Sequence, residues 1–320
     1  MALAQQAGPT KDNASRYFSH HKATVFRYPY THGLVVRKVK WNNVGSRFAT
    51  IHNDRHIRVW PSDKPEPKSS VEIRGAHERG VEDISWCPLH SEYLVSCSTD
   101  GTVKLWDTRT RQCLAQKDVG ECLVLAYSSD GKYIAVGLKN DMVKILKADD
   151  LEEITSYQET EEVYNIAWSS SSELFAVSLG NGNIRIVLLD GKTTSIFHTL
   201  KGHRTAATCL EFDPIGNFLA VGSNEGIVSI WDLRDWICLK TFTKADQPVT
   251  SLSYSHEGSY IAVASDNSLP IEIIHVESGD YIHSVKQKFD GRPYVQFHPL
   301  KFTLLFSGDA QGVTLLSTGK

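Results

Sequence analysis

The sequence predicts an all-β fold, a seven-bladed β-propeller, from three observations. Seven segments share one pattern, in which three short apolar strands are separated by polar turns. An aromatic residue closes the first strand of each segment, and successive aromatics are 45, 41, 41, 44, 42 and 43 residues apart. No segment shows a sustained helical period. The seven aromatic residues are Trp41, Trp86, Tyr127, Trp168, Phe212, Tyr254 and Phe297.

The chain begins with a polar stretch that we expect to be a flexible N-terminal arm, residues 1–22. Residues 23–320 are then a single seven-bladed propeller. The segment Ala23–Tyr28, ATVFRY, has strand character but belongs to none of the seven segments. The seventh segment ends with the strand Val313–Leu316 and has no fourth strand of its own. We therefore predict that the N-terminal strand completes the last blade and so covers an open sheet edge.

Inside each segment the first turn carries the Pro, Gly, Asp and Ser residues that favour tight turns, as in CPLHSEY, SSDGKY and DPIGNF. The second strand mixes β-branched and small residues, as in YIAVGL and FLAVGS, which is typical of a strand buried between packed sheets. A second polar turn, such as STDG or SNEG, leads to the third strand. Almost no helix is expected.

Two segments carry the dipeptides Trp106-Asp107 and Trp231-Asp232, which in register with this spacing are typical of the WD40 type of propeller. One segment also supplies a structural set of polar side chains for hydrogen bonds inside its blade: His77, Ser96, Asp100 and Trp106. In the fifth segment Val221 and Glu225 stand at the corresponding places, which predicts an incomplete set. We expect a structural role for His77, rather than one as base or ligand, because a buried polar group left unpaired is costly.

Composition and motifs favour a binding protein over an enzyme. The net charge is -3 and 41% of the residues are hydrophobic, so nothing draws the whole chain to nucleic acid or to a membrane. No P-loop, GxSxG elbow, HExxH or EF-hand motif is present. No carboxylates, histidines or metal ligands are predicted to converge on the central channel. We therefore expect no catalytic residue, cofactor, metal or small-molecule substrate, and we interpret the six cysteines as small buried residues.

A propeller offers a rigid binding platform on its narrow face, where the loops before the innermost strands meet the turns before the third strands. The outer-strand residue Trp236 is a further aromatic for a partner, although core packing is the simpler interpretation. The candidate partner-facing residues on the narrow face are Arg79, Thr99, Glu121, Lys139, Glu162, Arg204, Asn224, Gln247, Asp266 and Arg292.

Several segments are similar to one WD40 family. They include SSDGKYIAVGLKNDMVKIL, CLEFDPIGNFLAVGSNEGIVSIWDLRDWICLKTF, PVTSLSYSHEGSYIAVASDNSLPIEIIHVESGDYIHSV and HPLKFTLLFSGD. Together they resemble the WD40 subunit of the THO complex, part of the TREX transcription-export assembly. The resemblance spans about residues 20–317 and is strongest in residues 200–285.

This resemblance implies a non-enzymatic scaffold that couples transcription elongation to mRNP assembly and nuclear mRNA export. The implied partners are the other THO-complex subunits, above all the large helical subunit, with mRNA reached indirectly. The implied location is the nucleus, with no membrane association. The alternative is a WD40 adaptor of another assembly, such as a ubiquitin-ligase substrate receptor or a histone-tail reader.

Overall fold

The computed structural model of the chain contains seven four-stranded antiparallel sheets, which confirms the predicted seven-bladed propeller. The structure describes residues 8–27, 34–63, 66, 68–243, 246–266, 269–286, 292–309 and 312–318. One helix, α1 (Ala14–Ser19), and one strand, β1 (His21–Arg27), precede the first blade.

Each of the first six blades is a sheet of four consecutive strands, in order from the channel outward. Blades 1 to 3 consist of β2 (Val36–Trp41), β3 (Arg47–His52), β4 (Ile57–Pro61) and β5 (Val71–Ile73); β6 (Val81–Trp86), β7 (Tyr93–Ser98), β8 (Thr102–Asp107) and β9 (Gln112–Asp118); and β10 (Cys122–Tyr127), β11 (Tyr133–Leu138), β12 (Met142–Lys147) and β13 (Glu153–Gln158).

Blades 4 to 6 repeat this arrangement, and blade 7 draws three strands from the end of the chain. Their strands are β14 (Val163–Trp168), β15 (Leu174–Leu179), β16 (Asn183–Asp190) and β17 (Thr193–Lys201); β18 (Ala207–Phe212), β19 (Phe218–Ser223), β20 (Ile227–Asp232) and β21 (Cys238–Thr243); β22 (Val249–Tyr254), β23 (Tyr260–Ser265), β24 (Ile271–His275) and β25 (Tyr281–Val285); and β26 (Tyr294–Phe297), β27 (Leu304–Asp309) and β28 (Gly312–Thr318).

Burial follows the position of a strand in its blade. The second strands, such as β11 and β19, are buried along nearly their whole length, because blades on both sides cover their two faces. The fourth strands, such as β9, are largely exposed at the rim of the propeller. The continuous apolar runs of the second strands therefore reflect two-sided packing rather than alternation.

The turn that follows each innermost strand packs against the neighbouring blade. Gly131 in the turn of blade 3 has φ +72°, and a Cβ there would lie 2.9 Å from Cγ of Leu89 in blade 2. A glycine is needed at this position both for the left-handed backbone and for the close approach. The turn chemistry read from the sequence thus also sets how tightly successive blades pack.

The N-terminal strand closes the propeller as the sequence predicted. Strand β1 pairs antiparallel with β28, and Ala23 lies opposite Leu316. The strand begins earlier than expected, at His21, and Tyr28 lies outside the described residues. Blade 7 is therefore built from both ends of the chain.

The segment before this strand differs from the expected arm. Residues 8–20 lie against the propeller, and α1 buries Ala14 and Phe18 in a cluster that includes Tyr260 and Phe306. The Tyr260 hydroxyl donates a hydrogen bond to the Pro9 carbonyl at 3.2 Å. The arm is packed because Phe18 adds a large apolar side chain to the blade 6–blade 7 junction. Residues 1–7 lie outside the described part, and the boundary at residue 23 stays a prediction.

Candidate functional site

The narrow face is formed by the loops and turns at which the innermost strands begin. On it, the Glu121 carboxylate accepts hydrogen bonds from Arg79 at 3.2 Å and from Lys139 at 2.7 Å. Arg79 also donates to the Thr99 carbonyl at 3.2 Å. These four predicted residues thus form one ion-paired cluster across blades 2 and 3. The pKa of Glu121 is lowered by its bond to Lys139 and by Arg79.

The other candidate residues do not join that cluster. Asp266 and Arg292 form a second pair, with 3.5 Å between the Arg292 Nε and Asp266 Oδ2 atoms. Glu162 and Arg204 are exposed, and Asn224 joins the turn after β19 to the loop before β18 by donating its backbone N–H to the Ala206 carbonyl. Gln247 is half-buried in the loop before β22. The ten residues therefore lie around the face as separate groups, and their role in binding stays a prediction.

The central channel carries ionisable groups that sequence reasoning missed. A cavity of about 190 Å³ in it is lined by Lys38, Lys40, Asp83 and Glu211, among others. Lys38 forms an ion pair with Asp83 at 2.9 Å, and the ammonium of Lys40 lies 5.2 Å from the centre of the Tyr294 ring. The expectation that no carboxylates converge on the channel is therefore wrong. The sequence signal that could have found them is the alternation of side chains in the innermost strands. Lys38 and Lys40 are two residues apart in β2 and therefore lie on the same face of the strand.

The two central ionisable groups, Lys40 and Glu211, differ in their charge. Burial opposes the charge of Lys40, but Tyr294, Asp83 and Glu211 together raise its pKa. Burial raises the pKa of Glu211 to about 8, against the opposing effect of Lys40. Near neutral pH Lys40 is therefore a cation while Glu211 mostly retains its proton.

Polar side chains of the channel mainly join one innermost strand to the next. The Asp83 carboxylate accepts the Leu125 N–H at 3.2 Å, and the Ser253 hydroxyl accepts the Phe297 N–H at 3.0 Å. The Gln296 side-chain oxygen accepts the Trp41 N–H at 2.6 Å. These contacts satisfy backbone groups that no sheet pairs. The geometry thus gives the polar lining a role in holding blades together.

The predicted set in blade 2 forms one chain of hydrogen bonds. The Trp106 indole N–H donates to Ser96 Oγ at 2.9 Å, and Ser96 Oγ lies 2.7 Å from His77 Nε2. His77 Nδ1 lies 2.9 Å from Asp100, whose other oxygen accepts from the Thr102 hydroxyl at 2.7 Å. Burial lowers the pKa of His77, with Asp100 opposing, so a neutral imidazole relays the chain.

Blade 5 forms a related chain through a residue that the sequence comparison missed. The Trp231 indole N–H donates to Ser229 Oγ at 2.8 Å, and this oxygen lies 2.8 Å from His203 Nε2. Ser229 is on the third strand, opposite Val221. The far end of the chain is open, because His203 Nδ1 is 3.9 Å from Glu225. The hydroxyl of the blade 5 set therefore comes from the third strand instead of the second, and the set is incomplete only at Glu225.

In blades 1 to 4 and in blade 6 the third-strand residue at the position of Ser229 is charged. In blade 1, Arg58 pairs with Asp54 at 2.7 Å. In blade 4, Arg185 lies 3.5 Å from Glu159, a buried carboxylate whose pKa is raised by burial. Glu159 is 5% exposed, so its carboxylate is buried beside Arg185. These pairs have a structural role.

Two remaining expectations differ in part. Cys113 and Cys238 are exposed on outer strands, whereas the other four cysteines are buried. Trp236 is half-buried and packs edge-on against exposed Phe197, with 5.8 Å between the ring centres. Within the described ranges, no three His, Cys, Asp or Glu side chains come close enough to hold a metal ion. In the same ranges no helix has the length and apolar character to span a membrane.

Comparison with known proteins agrees with this architecture. The family model described as the IFT122 first beta-propeller matches residues 10–269. "THO complex subunit 3" of Arabidopsis thaliana is 32% identical over 305 residues, which cover 94% of this chain and 91% of that protein. The chain belongs to the THO complex subunit 3 family. The resemblance read from the sequence is thereby confirmed.

Two further relatives are similar to this chain over shorter stretches. "WD repeat-containing protein AAC3" of Dictyostelium discoideum is 31% identical over 77% of this chain and 56% of that protein. "Protein TEX1" of Saccharomyces cerevisiae is 21% identical over 85% of this chain and 69% of that protein. Of the three, THO complex subunit 3 matches over nearly the full length of both proteins.

Proposed function

We propose that this chain is a non-enzymatic scaffold subunit of a THO/TREX assembly. In that role it couples transcription elongation to mRNP assembly and nuclear mRNA export. The observation that carries the proposal is the 32% identity to THO complex subunit 3 over 94% of the chain. The proposed partners are other THO subunits, with the large helical subunit as the direct one, and the proposed location is the nucleus.

The site geometry supports binding rather than catalysis. The ionisable groups of the channel are engaged in pairs or bonds between blades, as in the Lys38–Asp83 pair. The buried histidines His77 and His203 bond to serine hydroxyls deep inside their blades rather than at an open cleft. A general base must reach the proton that it abstracts, which neither imidazole does here. The rigid rim and loops then provide the working surface.

The narrow face also supports indirect contact with mRNA. Three of its cations are matched by carboxylates: Arg79 and Lys139 by Glu121, and Arg37 by Glu82 at 2.7 Å. Binding to a nucleic-acid backbone needs free cations, and its affinity falls steeply with salt. We expect filter binding to single-stranded RNA to show no salt-dependent affinity for the isolated chain.

The proposal is tested by affinity purification of the tagged full-length chain from nuclear extract, followed by quantitative mass spectrometry. We expect the other THO subunits, led by the large helical one, to be enriched over an untagged control. Recovery without any THO subunit would overturn the proposal. Enrichment of ubiquitin-ligase or histone-binding components instead would favour the adaptor alternative.

A matched pair of variants tests the narrow face within the same purification. Replacing Glu121→Lys breaks the Arg79–Glu121–Lys139 cluster and places three cations together. Replacing Glu152→Lys makes the same charge change at an exposed turn near the rim, where Glu152 pairs with Lys147. We expect the first variant to reduce recovery of the large subunit at least threefold and the second to leave it unchanged. Equal recovery of both would remove this cluster from the partner surface.

A further inference from the structure

A second cavity lies at the wide face of the propeller, which is the face at which the innermost strands end. It has a volume of about 260 Å³ and is enclosed by the strand ends and turns of blades 5, 6, 7 and 1. Its wall, hereafter the wide-face cavity, includes Trp41 and Asn43 of blade 1, Pro214 of blade 5, Tyr254 of blade 6 and His298 of blade 7. Because Pro214 is exposed, the cavity reaches the surface of the molecule.

Three buried polar atoms in this wall have no hydrogen-bond partner within the described part of the chain: Trp41 Nε1, Asn43 Oδ1 and the Tyr254 hydroxyl oxygen. Trp41 and Tyr254 are each only 5% exposed. The corresponding indoles of Trp86 and Trp168 donate to backbone carbonyls at 2.9 and 3.1 Å. Since buried polar groups are nearly always bonded, three unpartnered groups around one cavity indicate a ligand that completes them.

The directions of these missing bonds select the chemistry of the ligand. The indole N–H of Trp41 can only donate. The Asn43 side-chain nitrogen donates to the Pro88 carbonyl at 2.8 Å, which leaves the amide oxygen as an acceptor. The Tyr254 hydroxyl can do both, and burial keeps it protonated by raising its pKa. The ligand must therefore accept and donate, whereas a carboxylate only accepts and an ammonium group only donates.

The charge of the wall also favours a neutral ligand. Burial raises the pKa of Glu211 to about 8 and lowers that of His298 to about 4, so both groups are mostly uncharged near pH 7. His256, the other histidine of the wall, lies 3.1 Å from the Glu257 carboxylate, which matches any charge on its ring. An ionised ligand would lose its hydration without gaining a counter-charge, and a carboxamide avoids that cost.

Exposed apolar side chains surround the cavity. Val44, Ile215 and Leu300 are 47%, 62% and 61% exposed, and each directly follows a residue of the wall in the turn of its blade. Single exposed apolar residues are common, but three around one polar opening resemble the periphery of a protein-binding site. The surface is thus complementary to a segment in which apolar residues flank one polar side chain.

We propose that the wide-face cavity receives the side-chain carboxamide of a glutamine or asparagine from an apolar-flanked segment of a partner protein. The carboxamide oxygen accepts from Trp41 Nε1, its nitrogen donates to Asn43 Oδ1, and the flanking residues pack on Val44, Ile215 and Leu300. Cavities of about 150 Å³ accept a group as large as benzene, so this larger one holds such a side chain. The inference rests on the proposed scaffold role, for which it supplies a docking site and the chemistry of the docked segment.

The test uses the full-length chain and an array of ten-residue peptides. Each peptide carries one central Gln, Asn, Glu, Lys or Ala flanked by Leu, Ile or Val, and binding is read by fluorescence polarisation. We expect the Gln or Asn peptides to bind about tenfold more tightly than the Glu, Lys and Ala peptides, because only a carboxamide completes both bonds. Equal binding of the Ala peptides, or no binding of the Gln and Asn peptides, would overturn the proposal.

NMR of the indole N–H groups locates the bound peptide. The chain has seven tryptophans, so the indole signals are few, and the Trp41 signal is assigned as the one lost in Trp41→Phe. We expect the Gln peptide to shift the Trp41 signal downfield and to leave those of Trp86 and Trp168, which are already bonded, in place. Binding without a shift at Trp41 would place the peptide elsewhere and refute the site.

Variants of the wall separate binding from stability. Trp41→Phe and Tyr254→Phe each remove one unpartnered group, and we expect each to weaken the Gln peptide about fivefold. The matched control Trp168→Phe should leave binding unchanged but lower the melting temperature more than Trp41→Phe does, because it loses the bond to the Ala126 carbonyl. Unchanged affinity in both Trp41→Phe and Tyr254→Phe would exclude the cavity as the site.

A second matched pair tests the apolar surroundings. Leu300 and Leu89 follow a proline in the corresponding turns of blades 7 and 2 and are 61% and 62% exposed. We expect Leu300→Ser to weaken the Gln peptide and Leu89→Ser, away from the cavity, to leave its affinity unchanged. An equal effect of the two substitutions would show that the peptide does not contact the edge of the cavity.

The outcome is independent of the purification that tests the proposed function. If the wild-type protein recovers THO subunits but no carboxamide peptide binds, the docking site is wrong and the scaffold role remains. If such peptides bind but no THO subunit is recovered, the site remains and the complex is a different one. Loss of one THO subunit in Leu300→Ser but not in Leu89→Ser would identify the protein that carries the docked segment.

Discussion

At the scale of single residues, Ser229 shows how a hydrogen-bond set survives a change of position. In blade 2 the hydroxyl between tryptophan and histidine comes from Ser96 on the second strand, and in blade 5 it comes from Ser229 on the third strand. The two positions face each other across the strand pair, as Val221 and Ser229 do. When blade 5 is compared with blade 2 position by position, Val221 in place of Ser96 looks like the loss of a hydroxyl. The comparison misses Ser229, which lies opposite Val221 and supplies the hydroxyl.

This arrangement predicts the effect of Ser229→Ala. The substitution leaves the buried Trp231 indole N–H and His203 Nε2 without their shared partner, and we expect a loss of about 1–3 kcal/mol in the free energy of unfolding. Chemical denaturation measures it. The exposed residue Ser195 on β17 provides the control, and Ser195→Ala should change stability by less than about 0.5 kcal/mol.

A second substitution tests the geometry rather than the hydroxyl count. Adding Val221→Ser to Ser229→Ala moves the hydroxyl to the strand that carries it in blade 2. We expect the double variant to recover most of the lost stability. A double variant no more stable than Ser229→Ala would show that the two positions are not equivalent.

At the scale of elements, the closing strand was predictable and the helix before it was not. Counting strands left blade 7 with one edge open and the N-terminal ATVFRY without a blade, so their pairing followed. Helix α1 has only six residues, and its N-cap residue Asn13 makes no side-chain capping bond to it. So short a helix is not stable alone. It forms because Phe18 packs on Tyr260 and Phe297, and such tertiary contacts leave no local sequence signal.

Truncations separate the helix from the strand. Removing residues 1–20 deletes α1 and the Tyr260 contact to Pro9, and removing residues 1–27 also deletes β1 and its seven register pairs. We expect the melting temperature to fall in both and to fall further in the second. Scanning calorimetry measures this. An unchanged melting temperature after removal of residues 1–27 would refute closure by the N-terminal strand.

Phe18→Ala isolates the packing of the helix. Truncation of a fully buried phenylalanine usually costs about 3–5 kcal/mol, and we expect a loss in this range because Phe18 is among the largest fully buried side chains. The exposed outer-strand residue Phe197 is the control, and Phe197→Ala should have little effect. Similar losses in both variants would mean that the arm is not packed against blades 6 and 7.

At the scale of the whole molecule, the blade count and order followed from repeat spacing, whereas the charge distribution of the channel did not. Spacing survives because every blade needs four strands to reach from channel to rim, and strands of similar length to pack against its neighbours. Lys40 and Glu211 lie on different blades and meet only after the propeller closes. Glu159 is similar, since its partner Arg185 lies on the next blade. Pairs that form only when different blades pack together cannot be recognised from the spacing of residues along the chain.

The junction of blades 7 and 1, next to the closing strand, contains a buried polar group without a partner among the described residues. Trp86 and Trp168 donate their indole N–H groups to carbonyls of the preceding blade. Within the described part of the chain, the equivalent Trp41 Nε1 has no partner. His298 bridges the junction by contacting the Gly45 carbonyl at 3.1 Å. This junction thus depends on a histidine as well as on β1.

Three histidines in blades 7 and 1, namely His21 in β1, His298 after β26 and His52 in β3, predict that acid destabilises these two blades. Burial lowers the pKa of His21 to about 4, with a smaller effect from His283. Burial also lowers the pKa of His298 to about 4, with a smaller effect from Lys301. The pKa of His52 is lowered to about 4 by burial and by Arg58. Each is neutral in the folded state but takes up a proton near pH 6.5 when unfolded, so stability is complete above pH 6.5 and is lost as pH falls toward 4. At pH 5.5 we expect a loss of about 1 kcal/mol in the free energy of unfolding per histidine.

Hydrogen exchange should rise first in β1, β2 and β28, and His298→Gln should flatten the pH dependence of the unfolding free energy. Acid-induced exchange that begins in blades 3 and 4, or an unchanged pH dependence in His298→Gln, would show that the junction is not the acid-sensitive part of the propeller.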